Sequence, residues 1–128
     1  MASIFARIVA GEIPCHRVWE DEDHLAFLDL NPIQPGHTLV IPKVEVAYLF
    51  DLEAEAFAAL WGAVRAVEAK VRAATAAKRV VVEVVGYEVP HVHVHLIPTR
   101  QLSDYPVPPR GKMADEELAA MAAGMREA

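Results

Sequence analysis

The longest regular pattern of apolar positions lies between Asp51 and Ala77, where apolar residues recur at intervals of three and four. These positions are Phe57, Leu60, Trp61, Val64, Val67 and Val71. The charged residues Arg65, Glu68 and Arg72 lie between them. Because an α-helix places residues at these spacings on one face, the segment is predicted to be a long amphipathic helix with a buried stripe.

Shorter apolar segments precede this helix. Arg17–Glu20 and Leu25–Leu30 flank the acidic triplet 21–23, which is typical of two strands joined by a tight turn. Asn31–Gly36 contains two prolines that cannot donate to a strand ladder, so His37–Pro42 is predicted to start a new strand with His37 at its entrance.

Two further strands are predicted after the long helix. Arg79–Val85 is rich in β-branched residues, and His91–Ile97 alternates histidine with apolar residues, so these segments are expected to pair in a sheet of about five strands. Strands on both sides of one long helix favour the α+β class over a parallel doubly wound sheet.

The two ends of the chain are predicted to be helical. Ser3 can cap a short helix that carries Ile4, Phe5 and Ile8 on one side, and Gly11 with Pro14 ends this helix. The segment 113–128 is rich in alanine and begins with acidic residues, which indicates a terminal helix. The length of 128 residues is that of one domain, which we expect to comprise residues 1–128.

Charge and cysteine content narrow the functions that the chain could have. A formal net charge of −6 argues against general binding to nucleic acid or to an anionic membrane, because both need a basic surface. Cys15 is the only cysteine, so no internal disulfide and no cysteine-based zinc cluster can form. No basic and apolar leader is seen at the start of the sequence, and we expect a soluble cytoplasmic protein.

His91, His93 and His95 are the residues that most clearly indicate chemistry. Side chains alternate along a strand, so the three imidazoles should lie on one face and the apolar residues between them on the other. A neutral imidazole is a nucleophile toward phosphorus, and a second one can stabilise phosphoryl oxygens or protonate a leaving group. Three imidazoles also suit a catalytic zinc, and spacing alone does not separate these two interpretations.

The pattern His-x-His-x-His followed by two apolar residues resembles the histidine triad (HIT) family of nucleotide hydrolases and transferases, in particular its adenosine 5'-monophosphoramidase branch. Residues 3–14, 20–29, 35–43 and 89–98 resemble four segments of that family in the same order. The resemblance covers about residues 3–100, with a C-terminal loop and helix in residues 101–128. It implies a HIT-type fold with an antiparallel sheet, and a homodimer whose two sheets join edge to edge.

The resemblance implies a role for each of four histidines. His93 would be the nucleophile that becomes nucleotidylated, and His95 would contact phosphate oxygens and assist the leaving group. His91 would orient His93 through hydrogen bonds, and His37 would lie beside the triad and support its polar network.

The resemblance also implies a pocket for a purine nucleoside. Asp29 would bind the two ribose hydroxyls, although its carboxylate could instead cap the loop at Asn31-Pro32 in an Asx turn. The apolar walls around the purine would be Phe5, Ile8, Phe27 and Leu30. Taken singly, such residues are more often plain core, and the resemblance is what favours the pocket.

Some positions differ from those of many bacterial relatives. Ser3, Ala6 and Glu45 stand where those relatives carry zinc ligands, so we expect no structural zinc. The segment 84–89 is shortened, and Tyr87 and Glu88 replace an amide and a hydroxyl residue. Glu88 is therefore a candidate contact for the leaving group.

These observations lead to one functional hypothesis and its rivals. The hypothesis is a hydrolase or transferase that breaks a phosphorus–heteroatom bond in a purine nucleoside 5'-phosphoramidate through a nucleotidyl-histidine, with no cofactor or metal. The alternatives are a dinucleoside polyphosphate hydrolase, a nucleotide-binding module with little turnover, and a metalloprotein that uses the triad histidines as ligands.

Overall fold

Five strands form one antiparallel sheet in the computed structural model, which describes residues 2–128. The strands are β1 (Arg17–Glu20), β2 (His24–Leu28), β3 (Thr38–Pro42), β4 (Arg79–Glu83) and β5 (Val94–Thr99). Their order across the sheet is β1-β2-β3-β5-β4, and every neighbouring pair is antiparallel. The predicted α+β class, the number of strands and the pairing of the last two strands are confirmed.

Three helices accompany the sheet: α1 (Ile4–Val9), α2 (Ala54–Thr75) and α3 (Asp115–Glu127). Helix α2 is shorter than predicted at both ends. A separate 3-10 turn at Leu49–Asp51 precedes it, and Ala76 has the left-handed conformation, with φ of 54°, at its C-terminus. A left-handed residue ends a helix because its backbone cannot continue the right-handed turn.

The sheet separates two apolar layers. Helix α2 packs on one face, where Val40, Val92, Val94 and Leu96 are buried against its apolar stripe. The other face carries a smaller cluster made of Phe5, Leu25, Phe27, Leu39 and Ile41. Helix α1 covers this second cluster, and the rings of Phe5 and Phe27 meet edge to face at 5.7 Å.

Strand β5 begins later than the sequence suggests. The predicted strand was His91–Ile97, whereas the ladder runs from Val94 to Thr99. Residues before Val94 have no partner in the sheet, because β3 pairs with β5 only as far as Val94. The amide of Val92 instead donates to the carbonyl of Val46 at 2.8 Å.

The end of strand β4 also differs from the prediction. It stops at Glu83, opposite His95, so Val84 and Val85 lie outside the ladder. Strand β4 is an edge of the sheet, and its Val82 is 45% exposed. Among residues 2–128, no helix is long and apolar enough to cross a membrane.

Candidate active site

The ring of His91 is fully buried and both of its nitrogens have partners. Nε2 lies 2.8 Å from the carbonyl oxygen of Pro42, which only accepts, so this nitrogen carries the proton. Nδ1 therefore accepts from the hydroxyl of Ser3 at 2.8 Å. The two bonds define one tautomer and one ring orientation for His91.

His93 is held by the main chain of His91. Its Nδ1 lies 2.7 Å from the carbonyl oxygen of His91, so Nδ1 carries the proton and Nε2 keeps a free lone pair. The ring is 6% exposed, and the edge-to-face contact with Phe5, at 4.8 Å between centroids, fixes its other side. This bond leaves Nε2 of His93 as the ring nitrogen available for attack.

His95 has the opposite arrangement, which is set by His37. The amide of Ile33 donates to Nδ1 of His37 at 3.0 Å, so the proton of His37 is on Nε2. That proton points at Nδ1 of His95, 3.0 Å away, and the remaining proton of His95 is therefore on Nε2. Among the four rings, His93 offers a lone pair and His95 offers an N–H at the same cavity.

Burial lowers the pKa of three of these imidazoles below the ordinary value. For His91 and His95 the nearby His93 ring acts in the same direction as burial. For His37, burial is partly opposed by the negative charges of Asp29 and Glu83. His37, His91 and His95 are therefore neutral at pH 7, and the negative charges of Asp29 and Glu83 act against burial at both His37 and His95.

A cavity of about 290 Å³ lies between α1, β2 and the histidines. It brings together Phe5, Ile8, Phe27 and Leu30, the four apolar residues predicted as walls. Leu30 is 76% exposed and stands at the mouth, whereas Phe5 and Phe27 are buried.

Further wall residues were missed from the sequence. They are Ile4, Ile13, Pro14, Cys15, Leu28, Leu39 and Val89. Leu39 was detectable by strand alternation, since it faces the same side as Phe27 and His95. Ile4 begins α1 and Leu28 ends β2, whereas the remaining four come from connecting segments, which carry no periodic signal.

Asp29 lies at the end of β2 and lines the cavity. Its Oδ1 accepts from the amide of Asn31 at 2.8 Å, so the Asx turn that the sequence left open does form. Its Oδ2 is 3.6 Å from Nε2 of His37. The turn leaves this second oxygen facing the histidines, and a structural and a binding role are therefore compatible at Asp29.

Comparison with known proteins places this architecture in a family. Residues 10–102 match the HIT domain. The chain belongs to the HIT family. Members of this family are generally nucleotide hydrolases.

Relatives of this HIT protein include a HIT-like protein of Azospirillum brasilense, which is 44% identical over 107 residues, covering 78% of this chain and 88% of the relative. An adenosine 5'-monophosphoramidase of Schizosaccharomyces pombe is 38% identical over 103 residues, covering 77% and 74% of the two chains. The crystal structure of a HIT family member from Bacillus subtilis superposes with a TM-score of 0.87 at 28% identity, over 99% and 96% of the chains.

The two unusual residues in the shortened segment before His91, Tyr87 and Glu88, lie on different surfaces of the HIT domain. Glu88 is exposed and lines the cavity at its open side, together with Val89. Tyr87 is 95% exposed and borders a separate apolar hollow with Tyr48 and Val85. Glu88 is thus near the reacting groups, whereas Tyr87 is on the outer surface.

Glu83 and Tyr105 are polar neighbours of the site that sequence reasoning missed. Glu83 lies opposite His95 in the sheet register, and the hydroxyl of Tyr105 donates to its carboxylate. Glu83 was detectable once β4 and β5 were paired, because the pairing places it beside a histidine. Tyr105 comes from the loop after β5 and gave no such signal.

The side chains that converge as possible metal ligands differ from the three triad histidines that the sequence suggested. Both nitrogens of His91 are engaged, so His91, His93 and His95 do not form a ligand set together. Among the described residues, one ligand atom each from Asp29, His37 and His95 lies within 4.8 Å of the others. At the positions considered for a structural zinc, this chain has Ser3, Ala6 and Glu45, and none of them is a thiolate. The amide of Ser3 instead donates to the carboxylate of Glu45.

Proposed function

We propose that this HIT protein hydrolyses purine nucleoside 5'-phosphoramidates, or related nucleotides, through a nucleotidyl-His93 intermediate. The observation that carries the proposal is the complementary protonation of two neighbouring rings, a lone pair on Nε2 of His93 and a proton on Nε2 of His95. Their centroids are 5.0 Å apart and both line one cavity. The phosphoramidase named among the relatives supports this substrate class.

In the first step Nε2 of His93 attacks the α-phosphorus and the phosphorus–nitrogen bond breaks. The bound phosphate anion, with Asp29 and Glu83, favours one extra proton from solvent on the His37–His95 pair. That proton passes from Nε2 of His95 to the departing nitrogen, which leaves as an amine. The positive charge on nucleotidylated His93 is stabilised by the carbonyl of His91.

In the second step water attacks the phosphorus and gives a proton back to Nε2 of His95. The phosphorus–nitrogen bond to His93 breaks, its electron pair returns to Nε2, and nucleoside monophosphate is released. When nucleoside monophosphate leaves, the His37–His95 pair returns its extra proton to solvent, so that over the cycle one water is consumed and both rings regain their starting states.

The nucleoside end fits the apolar half of the cavity. Phe5, Ile8 and Phe27 form an apolar slot for a flat base. The free Oδ2 of Asp29 would accept from the ribose hydroxyls. Asp29 would therefore fix the ribose while α1 and β2 hold the base.

The experiment is a panel of nucleotide substrates followed by intact mass spectrometry. An AMP–amine conjugate should turn over, and rapid denaturation at alkaline pH, where a phosphorus–nitrogen bond to histidine survives, should trap a protein heavier by one adenylyl group. The parent protein should carry this adduct and His93→Ala should not. Turnover without any adduct on millisecond quenching contradicts the covalent scheme.

A metal-dependent reaction is the second candidate, because Asp29, His37 and His95 converge. Activity should survive exhaustive chelation, since donors around the phosphorus replace a cation in the scheme above. A stoichiometric metal whose removal stops turnover would transfer the assignment to the metalloprotein.

We also propose that the protein forms a homodimer through the β4 edge. An edge strand presents unpaired N–H and C=O groups, which another strand can satisfy. Beside it, Tyr48, Phe50, Val85 and Tyr87 are exposed and border one hollow. Helix α3 presents another exposed apolar surface. Its residues Leu118, Met121 and Met125 each have half or more of their surface exposed.

A further inference from the structure

Ser3 uses each of its polar groups in a different contact. Its hydroxyl oxygen accepts from the amide of Ala6 at 2.9 Å and so caps α1. The same hydroxyl donates its proton to Nδ1 of His91 at 2.8 Å. Its amide donates to the carboxylate of Glu45, and the residue is only 7% exposed. Ser3 is thus a junction between α1 and the histidines.

Capping alone does not explain this arrangement. A helix cap needs only an acceptor for the first amides, so asparagine or aspartate serve there as well as serine, and even glycine, which has no such acceptor, is only slightly less favourable. The second bond, donated to a fully buried ring nitrogen, does nothing for the helix. The carbonyl of Pro42 already sets the tautomer of His91, and the bond from Ser3 restrains the opposite side of the ring, which keeps the carbonyl of His91 in place to hold Nδ1 of His93.

Helix α1 also brings a wall of the pocket to the nucleophile. Phe5, two residues after Ser3, contacts the His93 ring at 4.8 Å and the His91 ring at 6.0 Å between centroids. A shift of the helix start would therefore move the base wall and loosen the packing of His93 together. The Ser3–His91 bond couples these two parts of the site.

We propose that Ser3 is a positioning residue, which fixes the ring of His91 and through it aims Nε2 of His93 at the phosphorus. The kinetic part of this inference rests on the proposed function, whereas the structural part does not. Ser3 touches no substrate in this scheme and acts only through the chain Ser3, His91, His93.

The test compares Ser3→Gly with Ser3→Thr in the full chain, made without an N-terminal extension. Glycine keeps an acceptable cap and removes the hydroxyl, and threonine restores it. We expect Ser3→Gly to lower kcat on an AMP–amine conjugate by about tenfold with KM changed by less than about threefold, a typical loss when support of an active-site imidazole is removed. Ser3→Thr should recover kcat to within about threefold of the parent.

A spectroscopic arm works without substrate. The ¹⁵N shifts of the imidazoles should show the Nε2–H tautomer for His91 and the Nδ1–H tautomer for His93 in the parent. Ser3→Gly should shift the resonance of the unprotonated Nδ1 of His91, which loses its donor, and broaden the ring resonances of His93, whereas Ser3→Thr should keep both as in the parent. Thr99→Val is the matched control. Thr99 is 7% exposed, as Ser3 is, but its hydroxyl donates to the carbonyl of Arg79 and does not contact a histidine.

The outcomes separate the two proposals. Unchanged ¹⁵N resonances of His91 and His93 in Ser3→Gly, or a raised KM with unchanged kcat, overturn the positioning role. A parent that turns over no nucleotide while these resonances still respond to Ser3→Gly rejects the proposed function and leaves the control of His91 by Ser3 standing. Equal losses in Ser3→Gly and Thr99→Val also overturn the proposal.

Discussion

At the scale of single residues, identical side chains acquire different chemistry from their neighbours. His91, His93 and His95 alternate along the chain, yet one is fully bonded, one presents a lone pair and one presents a proton. The differences arise from a serine hydroxyl, a main-chain carbonyl and a fourth histidine. A tautomer is set by the partner of the opposite ring nitrogen, so the roles depend on contacts that are distant in sequence.

The first residue-scale prediction concerns His93. His93→Ala should reduce turnover of a purine phosphoramidate to background, while nucleoside monophosphate still binds, because Phe5, Phe27 and Asp29 are unaltered. His91→Ala should be milder, since the nucleophile remains. Steady-state rates and calorimetric titration with AMP measure the two effects. A rate for His93→Ala close to that of the parent contradicts the assignment.

The second residue-scale prediction concerns Glu88, which lines the open side of the cavity. A carboxylate about 4 Å from an anionic leaving group in solvent slows the reaction by roughly fivefold, so Glu88 should favour neutral or cationic leaving groups. Glu88→Ser should raise kcat/KM for a diadenosine polyphosphate relative to an AMP–amine conjugate. Glu22→Ser, at the exposed turn between β1 and β2, is the matched charge control. An unchanged ratio removes Glu88 as a selectivity element.

At the scale of elements, the position of strand ends determines the site. Strand β5 starts at Val94, so His95 is inside the ladder while His91 and His93 lie just before it. Residues outside a ladder have free main-chain groups, and the carbonyl of His91 is available to His93 for this reason. The end of β2 similarly frees Asp29 to form its turn.

The element-scale prediction concerns the β4 edge. Val85 is 51% exposed and borders the same apolar hollow as Tyr87. A charge at this position should oppose burial of the hollow by the second subunit. We expect the parent to have the mass of a dimer in light scattering and Val85→Glu to weaken association by about tenfold or more. Val44→Glu is the control, because Val44 is 57% exposed and does not border that hollow. A monomeric parent at micromolar concentration contradicts the proposed interface.

At the scale of the whole molecule, the sheet keeps packing and chemistry on opposite faces. Val92, Val94 and Leu96 are buried under α2, and the histidines between them face α1 and the cavity. Among the described residues, every buried side-chain nitrogen or oxygen has a hydrogen-bond partner. Burial lowers the pKa of three imidazoles, those of His37, His91 and His95, and this links folding to pH.

The whole-molecule prediction follows from the lowered pKa of His37, His91 and His95. Below about pH 6.5 the unfolded chain binds protons that the folded protein does not, so the free energy of unfolding falls as the pH drops from 7 to 5 and is regained on raising it. Urea unfolding at several pH values measures the slope. His37→Gln should reduce it by about a third.

The control for this experiment is His16→Gln, because His16 is exposed. Its imidazole stays in water in both states, so the slope should not change. A free energy of unfolding that is constant or rises from pH 7 to 5 contradicts the neutral, buried cluster.

Much of this molecule is determined by local sequence. The apolar period predicted α2, the two segments around the acidic triplet predicted the β1–β2 hairpin, and the alternation around the histidines assigned their face. Each of these signals comes from neighbouring residues. The resemblance in four segments predicted the family, which the domain match confirms. It also selected the residues that meet in the cavity, although their roles stay predictions.

Tertiary structure alone decided the features that join distant segments. Ser3 reaches His91, His37 reaches His95, and Glu83 reaches Tyr105, and none of these pairs shares a periodic or local signal. The start of β5 depended on where β3 stopped pairing, and the walls at Ile13 and Cys15 depended on how a loop folds back. Sequence periodicity reports which face a residue occupies, whereas the proton on each imidazole is decided by whichever donor or acceptor the fold places within 3 Å of it.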